Sequence, residues 1–132
     1  MAKQESVEVV RAIYDAYNRG DADGIVEVTD PEICIEDHGV IDGASYRGRS
    51  GVLEFLAFQS ESFREQHVEL EELVGVGGAL LAVIHLSAEG SASGAPVGGR
   101  FAHVWELEEG LIRRLGIYSN KEEALEAVGL RE

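Results

Sequence analysis

Long segments in which apolar and polar residues alternate fill the second half of the chain, and they constrain the fold more than any other feature. From Gln66 onward the hydrophobic period changes from helical to alternating. The predicted strands begin at Gln66 and continue over Ala79–Leu86, Arg100–Leu107 and Leu111–Tyr118, with tight turns at Gly77-Gly78 and Glu108-Glu109-Gly110. The segment Glu89–Gly99, which is rich in Gly, Ser and Ala, is expected to form a long hairpin loop. Strands of this length in hairpin order predict an antiparallel sheet.

Helical spacing of apolar residues marks the segments that surround the first predicted strand, Ile33–Asp37. The predicted helices run from Ser6 to Gly20, from Asp21 to Asp30-Pro31, from Ser50 onward, and over Lys121–Val128 between Asn120 and Gly129. Helices gathered before long strands favour an α+β fold, in which a cone-shaped, strongly bent antiparallel sheet holds the N-terminal helices in its concave face. Such a cone leaves a pocket between helix and sheet. Neither an internal repeat nor a long linker divides residues 1–132, so we expect a single domain.

The charge of the chain excludes two classes of partner. A formal net charge of -14, from 25 acidic and 11 basic side chains, repels nucleic acid phosphates and anionic membranes. The single cysteine, Cys34, cannot form an internal disulfide and is expected to be a small buried side chain. The first residues lack the apolar run of a signal peptide or a membrane span, so a cytoplasmic protein is expected.

Several short motifs along the chain point to a known family. They are Ile13–Asp21, Asp30-Pro31-Glu32, Tyr46-Arg47-Gly48-Arg49, Phe101–Trp105 and Gly110-Leu111-Ile112. In these motifs and in its order of elements, the chain resembles the nuclear transport factor two-like superfamily, and in particular its SnoaL-like branch of polyketide cyclases and ketosteroid isomerase relatives. The resemblance implies one domain of this type over residues 1–132. It does not imply one reaction, because the superfamily holds isomerases, cyclases, dehydratases, hydrolases and binding proteins.

Asp37 is the first candidate for a catalytic residue. Alternation along the strand places it on the same face as Ile33 and Ile35, where a carboxylate is costly unless it is used or solvated. If this face lines a cavity, Asp37 is a proton acceptor with a raised pKa; if the strand ends in water, it is an ordinary turn residue. The resemblance implies a proton-shuttling aspartate at this position. His38 assists it only if the chain has already turned into the loop.

Hydrogen-bond donors for an oxyanion are the second requirement of an isomerase. The resemblance implies a tyrosine on the first helix and a protonated aspartate on the penultimate strand, but Ile13 and Ala102 stand at those positions. Tyr14 and Tyr17 are the best available donors, with a core role as the alternative for each. The carboxylate that the cyclase and epoxide hydrolase branches carry on the last strand is missing from Leu115–Tyr118.

Separate sets of residues are predicted for the pocket and for the outer face of the sheet. The pocket is expected to be lined by Ile13, Phe55, Ala102, Val104, Leu115 and Ile117. A homodimer interface on the outer face is expected to contain Phe101, His103, Trp105 and Tyr118. Glycines between Glu89 and Arg100 allow the strand to slip, and a slip would exchange the two faces and bring His103 and Trp105 into the pocket.

Two function classes remain open from the residues alone. Because no pair of histidines has ligand spacing and no serine lies in a nucleophile turn, we expect neither a metal site nor covalent hydrolysis, and no cofactor. The first hypothesis is a small isomerase or cyclase that acts on an apolar carbonyl compound with Asp37 as base. The alternative is a non-catalytic module that binds a small hydrophobic ligand or serves as a dimeric partner domain.

Overall fold

The computed structural model describes residues 3–41 and 43–131, and these residues form four helices and six strands. In chain order the elements are α1 (Lys3–Arg19), α2 (Ala22–Glu27), β1 (Thr29–Asp37), β2 (Ser45–Arg47), α3 (Gly48–Ser62), β3 (Phe63–Val76), β4 (Ala79–Gly90), β5 (Pro96–Glu108), β6 (Leu111–Tyr118) and α4 (Lys121–Arg131). The α+β class and the order of helices and long strands confirm the prediction. None of the described helices is long and apolar enough to cross a membrane.

Gly20, Asp21 and Asn120 act as the helix caps that the sequence indicates, whereas α1 begins before Ser6 and α3 begins before Ser50. Gly20 adopts a φ of 72°, a left-handed conformation that ends α1 at little steric cost. The Asp21 side chain accepts the N–H of Gly24 at 2.9 Å and begins α2, and Asn120 accepts the N–H of Glu123 at 2.9 Å and begins α4. The last helix ends later than predicted, since it continues through Gly129 to Arg131.

The six strands form one sheet in the order β2-β1-β6-β5-β4-β3. Every neighbouring pair is antiparallel except β1 and β6, which are parallel. An entirely antiparallel sheet was therefore too simple a prediction, because the chain between β1 and β6 crosses over before it returns. The short strand β2 lies between β1 and α3, in a segment for which no strand was predicted, and pairs Tyr46 with Ile35.

The predicted loop before β5 is mostly strand. Strand β4 extends to Gly90 and β5 begins at Pro96, so only a short turn lies between them. Gly98 has a φ of 151°, and a Cβ atom there would lie 2.1 Å from the carbonyl oxygen of Leu86. This close approach of two backbones requires glycine, so the glycines of this segment serve strand pairing rather than a loop.

The two faces of the sheet are covered by different helices. The inner face packs against α1 and α3 in the main core. The outer face packs against α4 through Leu81, Ala102, Val104 and Tyr118, which contact Ala124 and Val128. The expectation that Ala102 and Val104 line the pocket is therefore wrong.

The register of β4 and β5 explains this correction. The pairing is regular from Leu80↔Trp105 to Glu89↔Pro96, with Ala82 opposite His103 and Ile84 opposite Phe101. Residues directly opposite each other share a face, and Leu80, Ala82 and Ile84 belong to the inner core. Phe101, His103 and Trp105 therefore point inward as well.

Candidate functional site

A cavity of about 320 Å³ lies between α1, α3 and the inner face of the sheet. Most of its wall is aliphatic or aromatic, and it includes Ile13, Phe55, Leu115 and Ile117, which the sequence analysis assigned to it. The polar side chains in the wall belong to Tyr14, Tyr17, Thr29, Gln59, His103 and Trp105. Among the described residues, no Asp, Glu, Lys or Arg lines this cavity. Its volume and apolar character are typical of a site for one small organic molecule.

Tyr14, His103 and Trp105 form a hydrogen-bonded chain in this wall. The Trp105 indole donates its Nε1–H to the Tyr14 hydroxyl oxygen at 2.9 Å, and the Tyr14 oxygen lies 2.6 Å from Nδ1 of His103. An indole N–H only donates, so the tyrosine accepts that bond and has its own proton left to donate to Nδ1. Among the described residues the Tyr14 hydroxyl proton has no other acceptor, so we assign it to the bond with Nδ1 and assign the proton of His103 to Nε2.

Aromatic packing holds the three rings of this chain in place. The Tyr14 and His103 rings stack with centroids 5.8 Å apart, and the Trp105 ring meets both of them edge to face. Ring packing and hydrogen bonds together limit the orientations that His103 can adopt. The direction of its second nitrogen is therefore set by the fold.

The protonation state of the chain follows from its surroundings. Burial lowers the pKa of His103 to about 4 and raises the pKa of Tyr14 far above its usual range. Both groups are therefore neutral near pH 7. Nε2–H of His103 has no hydrogen-bond partner among the described residues, and the atom is not fully enclosed by protein. Because His103 lines the cavity, this N–H is a fixed donor there.

Tyr17 occupies the far side of the same wall. Its hydroxyl donates to Oε1 of Gln66, and burial raises its pKa to about 12. The Gln66 amide in turn donates to the backbone oxygen of Gln59 at 3.2 Å. Tyr17 is thus a neutral side chain whose proton is already used within the protein.

The family of the chain is decided by a match to a known domain. Residues 10–115 match the model of the SnoaL-like domain family. The chain belongs to this family. No curated protein sequence matches it.

Solved structures agree with the assignment to the SnoaL-like family. The chain is similar to an NTF2-like protein of unknown function from Burkholderia pseudomallei, with 18% identity, coverage of 97% of this chain and 98% of that chain, and a TM-score of 0.80. It is similar to a putative SnoaL-like polyketide cyclase from Jannaschia sp. CCS1, with 18% identity, coverage of 95% and 92%, and a TM-score of 0.78. TerC, which was co-crystallised with polyporic acid, shows 19% identity, coverage of 95% and 98%, and a TM-score of 0.77. At these identities the likeness shows the fold alone.

Asp37 has a different environment in this SnoaL-like domain from the one expected. It is only 5% exposed, and its carboxylate accepts the backbone N–H groups of Val40 at 3.0 Å, Ile41 at 2.8 Å and Gly43 at 2.8 Å. It is absent from the described wall of the cavity. The expected position of Asp37 as a base facing the pocket is therefore wrong, because the carboxylate is directed into the loop that follows β1 and holds it closed.

His38 does not assist Asp37 either. Its ring stacks on Tyr118 with centroids 4.4 Å apart, and its Nε2 lies 3.9 Å from the Glu36 carboxylate. These contacts lie away from the cavity wall. Of the predicted catalytic residues, the structure brings Tyr14 and Tyr17 to the cavity and leaves Asp37 and His38 outside it.

The predicted dimer interface also changes. Phe101, His103 and Trp105 line the cavity instead of the outer surface, and Tyr118 is covered on the outer face by α4. These residues are therefore not available as the surface patch that was expected, because the chain itself covers them. A homodimer of this SnoaL-like domain stays a prediction. The extension of the domain over all of residues 1–132 also stays a prediction.

His103 was assigned to the dimer interface on the outer face, and its position in the pocket was expected only if the strand slipped. Its signal was the stripe Phe101-x-His103-x-Trp105, in which a histidine alternates with two large aromatic residues. Such a stripe is typical of a buried face. Tyr14, which has helical spacing with the apolar residues of α1, was the matching signal on the other side of the cavity.

Proposed function

We propose that this SnoaL-like domain binds one small, uncharged, apolar molecule that carries a hydrogen-bond acceptor such as a carbonyl oxygen. The observation that carries the proposal is the Tyr14–His103–Trp105 chain, which holds Nε2–H of His103 as a donor in a largely apolar wall. A ligand acceptor opposite this N–H would satisfy it. The co-crystallisation of TerC with polyporic acid supports a small organic ligand for this fold.

The chemistry of the wall selects against charged ligands. A buried anion or cation would lose its hydration and meet no countercharge among the described residues that line the cavity. An apolar ligand would instead gain about 0.8 kcal/mol for each buried CH₂ group. The His103 donor adds about 0.5–1.5 kcal/mol for a matching acceptor, which is enough for orientation.

A second candidate function is proton-transfer catalysis on the same carbonyl ligand, as in the isomerase or cyclase hypothesis. It is favoured by one observation, since a neutral imidazole N–H held towards a carbonyl can polarise it. Binding without turnover fits the geometry better, because no carboxylate base lines the described cavity and Asp37 would have to leave its N–H donors. Exchange of the α-protons of a bound ketone with deuterated water distinguishes the two. We expect no acceleration by the protein.

Binding can be followed at the site itself, because Trp105 is the only tryptophan in the chain and gives one indole N–H signal in an NMR spectrum. Titration with methyl naphthyl ketone should shift this signal. Ethylnaphthalene, which has a similar size but no acceptor, should bind about threefold to tenfold more weakly, as expected for one hydrogen bond.

Two variants test the role of His103. His103→Phe removes the donor and should abolish the preference for the ketone. His103→Gln is the matched control, since its amide can accept from Tyr14 and still donate to the ligand. Equal affinity for ketone and hydrocarbon in the wild-type protein, or a preference that survives in His103→Phe, would contradict the proposed function.

A further inference from the structure

A second cleft adjoins the cavity and shares part of its wall. This cleft also measures about 320 Å³ and lies between the α1–α2 turn and the end of α3. Tyr17, Ile25, Leu56 and Gln59 line both spaces and form the partition between them. A ligand that fills the cavity therefore meets these four side chains on the side of the cleft.

The cleft is polar, but its charges are balanced. Its wall includes Asn18, Arg19, Asp21, Ser60 and Gln66. Arg19 pairs with Asp21 at 3.3 Å, and the Asn18 amide bonds both the N–H and the carbonyl of Val68 at 2.8 Å. Its cation is thus already paired, which favours uncharged polar groups over anions.

Gln59 is the unusual member of the partition. The residue is 8% exposed, and its Oε1 is the only enclosed side-chain oxygen or nitrogen without a hydrogen-bond partner in the described part of the chain. Buried acceptors are almost always paired, so one without a partner calls for an explanation. The nearby hydroxyl of Tyr17 does not provide one, because it is used by Gln66.

We infer that Gln59 is a specificity-determining residue, which accepts a hydrogen bond from a hydroxyl group at one end of the ligand. This inference rests on the proposed function and deepens it. The ligand is an uncharged apolar molecule with an acceptor facing His103 and a hydroxyl facing Gln59 at the edge of the polar cleft. This bond requires the amide to turn Oε1 towards the cavity, and it supplies the partner that Oε1 lacks in the empty protein.

The test compares methyl naphthyl ketone with a set of its derivatives that carry one hydroxyl at different positions of the distal ring. We expect at least one hydroxylated ketone to bind about threefold to tenfold more tightly than the parent, as for one added hydrogen bond. The indole N–H of Trp105 again reports binding. If no isomer binds more tightly than the parent ketone, the inference is wrong.

Gln59→Met removes the amide and keeps an unbranched side chain of similar length. The readout is the ratio of the two affinities within each protein, and Gln59→Met should lose the preference for the hydroxylated isomer over the parent ketone. It should also raise the thermal unfolding midpoint of the empty protein, since it removes an unpaired buried acceptor. Ser60→Ala, which changes a residue of the cleft wall alone, is the matched control and should keep the preference.

The outcomes separate the two proposals. A preference that survives in Gln59→Met overturns the role of Gln59 while leaving the proposed function intact. Failure of the parent ketone to bind would overturn the proposed function and this inference together.

Discussion

The Tyr14–His103–Trp105 chain and the loop after Asp37 both contain buried polar side chains, but the hydrogen bonds of these side chains are satisfied in different ways. The Asp37 carboxylate accepts the backbone N–H groups of Val40, Ile41 and Gly43 in its own loop. His103 receives one hydrogen bond, at Nδ1, and keeps its Nε2–H for the cavity. A buried polar residue whose bonds are completed within the chain stabilises the fold, whereas one that keeps a fixed free donor can recognise a ligand.

Among the variants that test this comparison, Asp37→Ala should have the largest effect on stability. It should lower the free energy of unfolding by about 3 kcal/mol, because the buried backbone donors of the loop lose a charged acceptor. Urea denaturation measures the loss. Asp37→Asn, which keeps one acceptor oxygen, should lose less. If Asp37→Ala is as stable as the wild type but no longer binds the ketone, Asp37 belongs to the site and the comparison fails.

The protonation of His103 provides the next test. Its pKa falls from the ordinary 6.5 to about 4 on folding, so the unfolded chain binds the additional proton between these values. Stability is therefore full above about pH 6.5 and falls as the pH decreases towards 4, by about 2 kcal/mol between about pH 7 and pH 5. Tyr14 and Tyr17 are the other titratable groups of the described cavity wall, and both stay neutral in this range.

The measurement compares the unfolding free energy of the wild type with that of His103→Gln at each pH. The many surface carboxylates affect both proteins alike, so the difference isolates the histidine. Parallel pH profiles for the two proteins would show that His103 is not held neutral by burial.

Tyr14→Phe should have the smallest effect on stability, and it tests whether Tyr14 positions the imidazole of His103. It removes the acceptor for Trp105 and the donor to His103, at a cost of about 1–2 kcal/mol. With Nδ1 released, the orientation and tautomer of the imidazole are no longer fixed. The preference for the ketone over ethylnaphthalene should therefore decrease, as measured by the Trp105 indole titration. An unchanged preference would show that Tyr14 does not position the imidazole.

Local patterns predicted most of the fold. The caps Asp21 and Asn120 and the strand Leu111–Tyr118 were readable because each depends on residues close in sequence. The parallel pairing of β1 with β6 was not readable in this way, since it joins segments that are far apart along the chain. The three-residue strand β2 was too short to show an alternating pattern.

The candidate site was harder to predict than the fold, because it depends on which face of a strand is buried. The alternation in β5 separates Ala102 from His103, but it does not say which of them lies inside. The decision comes from α4, which covers Ala102 and Val104 and leaves the aromatic face for the cavity. Asp37 shows the same limit, since alternation left open whether its carboxylate faces a cavity or water and could not predict its bonds to the following loop.

The proposed function depends on one property of His103, a neutral imidazole that keeps Nε2–H free for a ligand. Nitrogen-15 NMR of the imidazole ring tests it most directly, with the signal assigned through His103→Gln. We expect an unprotonated Nδ1 and a protonated Nε2 near pH 7, no further protonation down to about pH 5, and a shift of the Nε2 signal when methyl naphthyl ketone binds. A ring that gains its second proton near its ordinary pKa, or whose proton lies on Nδ1, would contradict it.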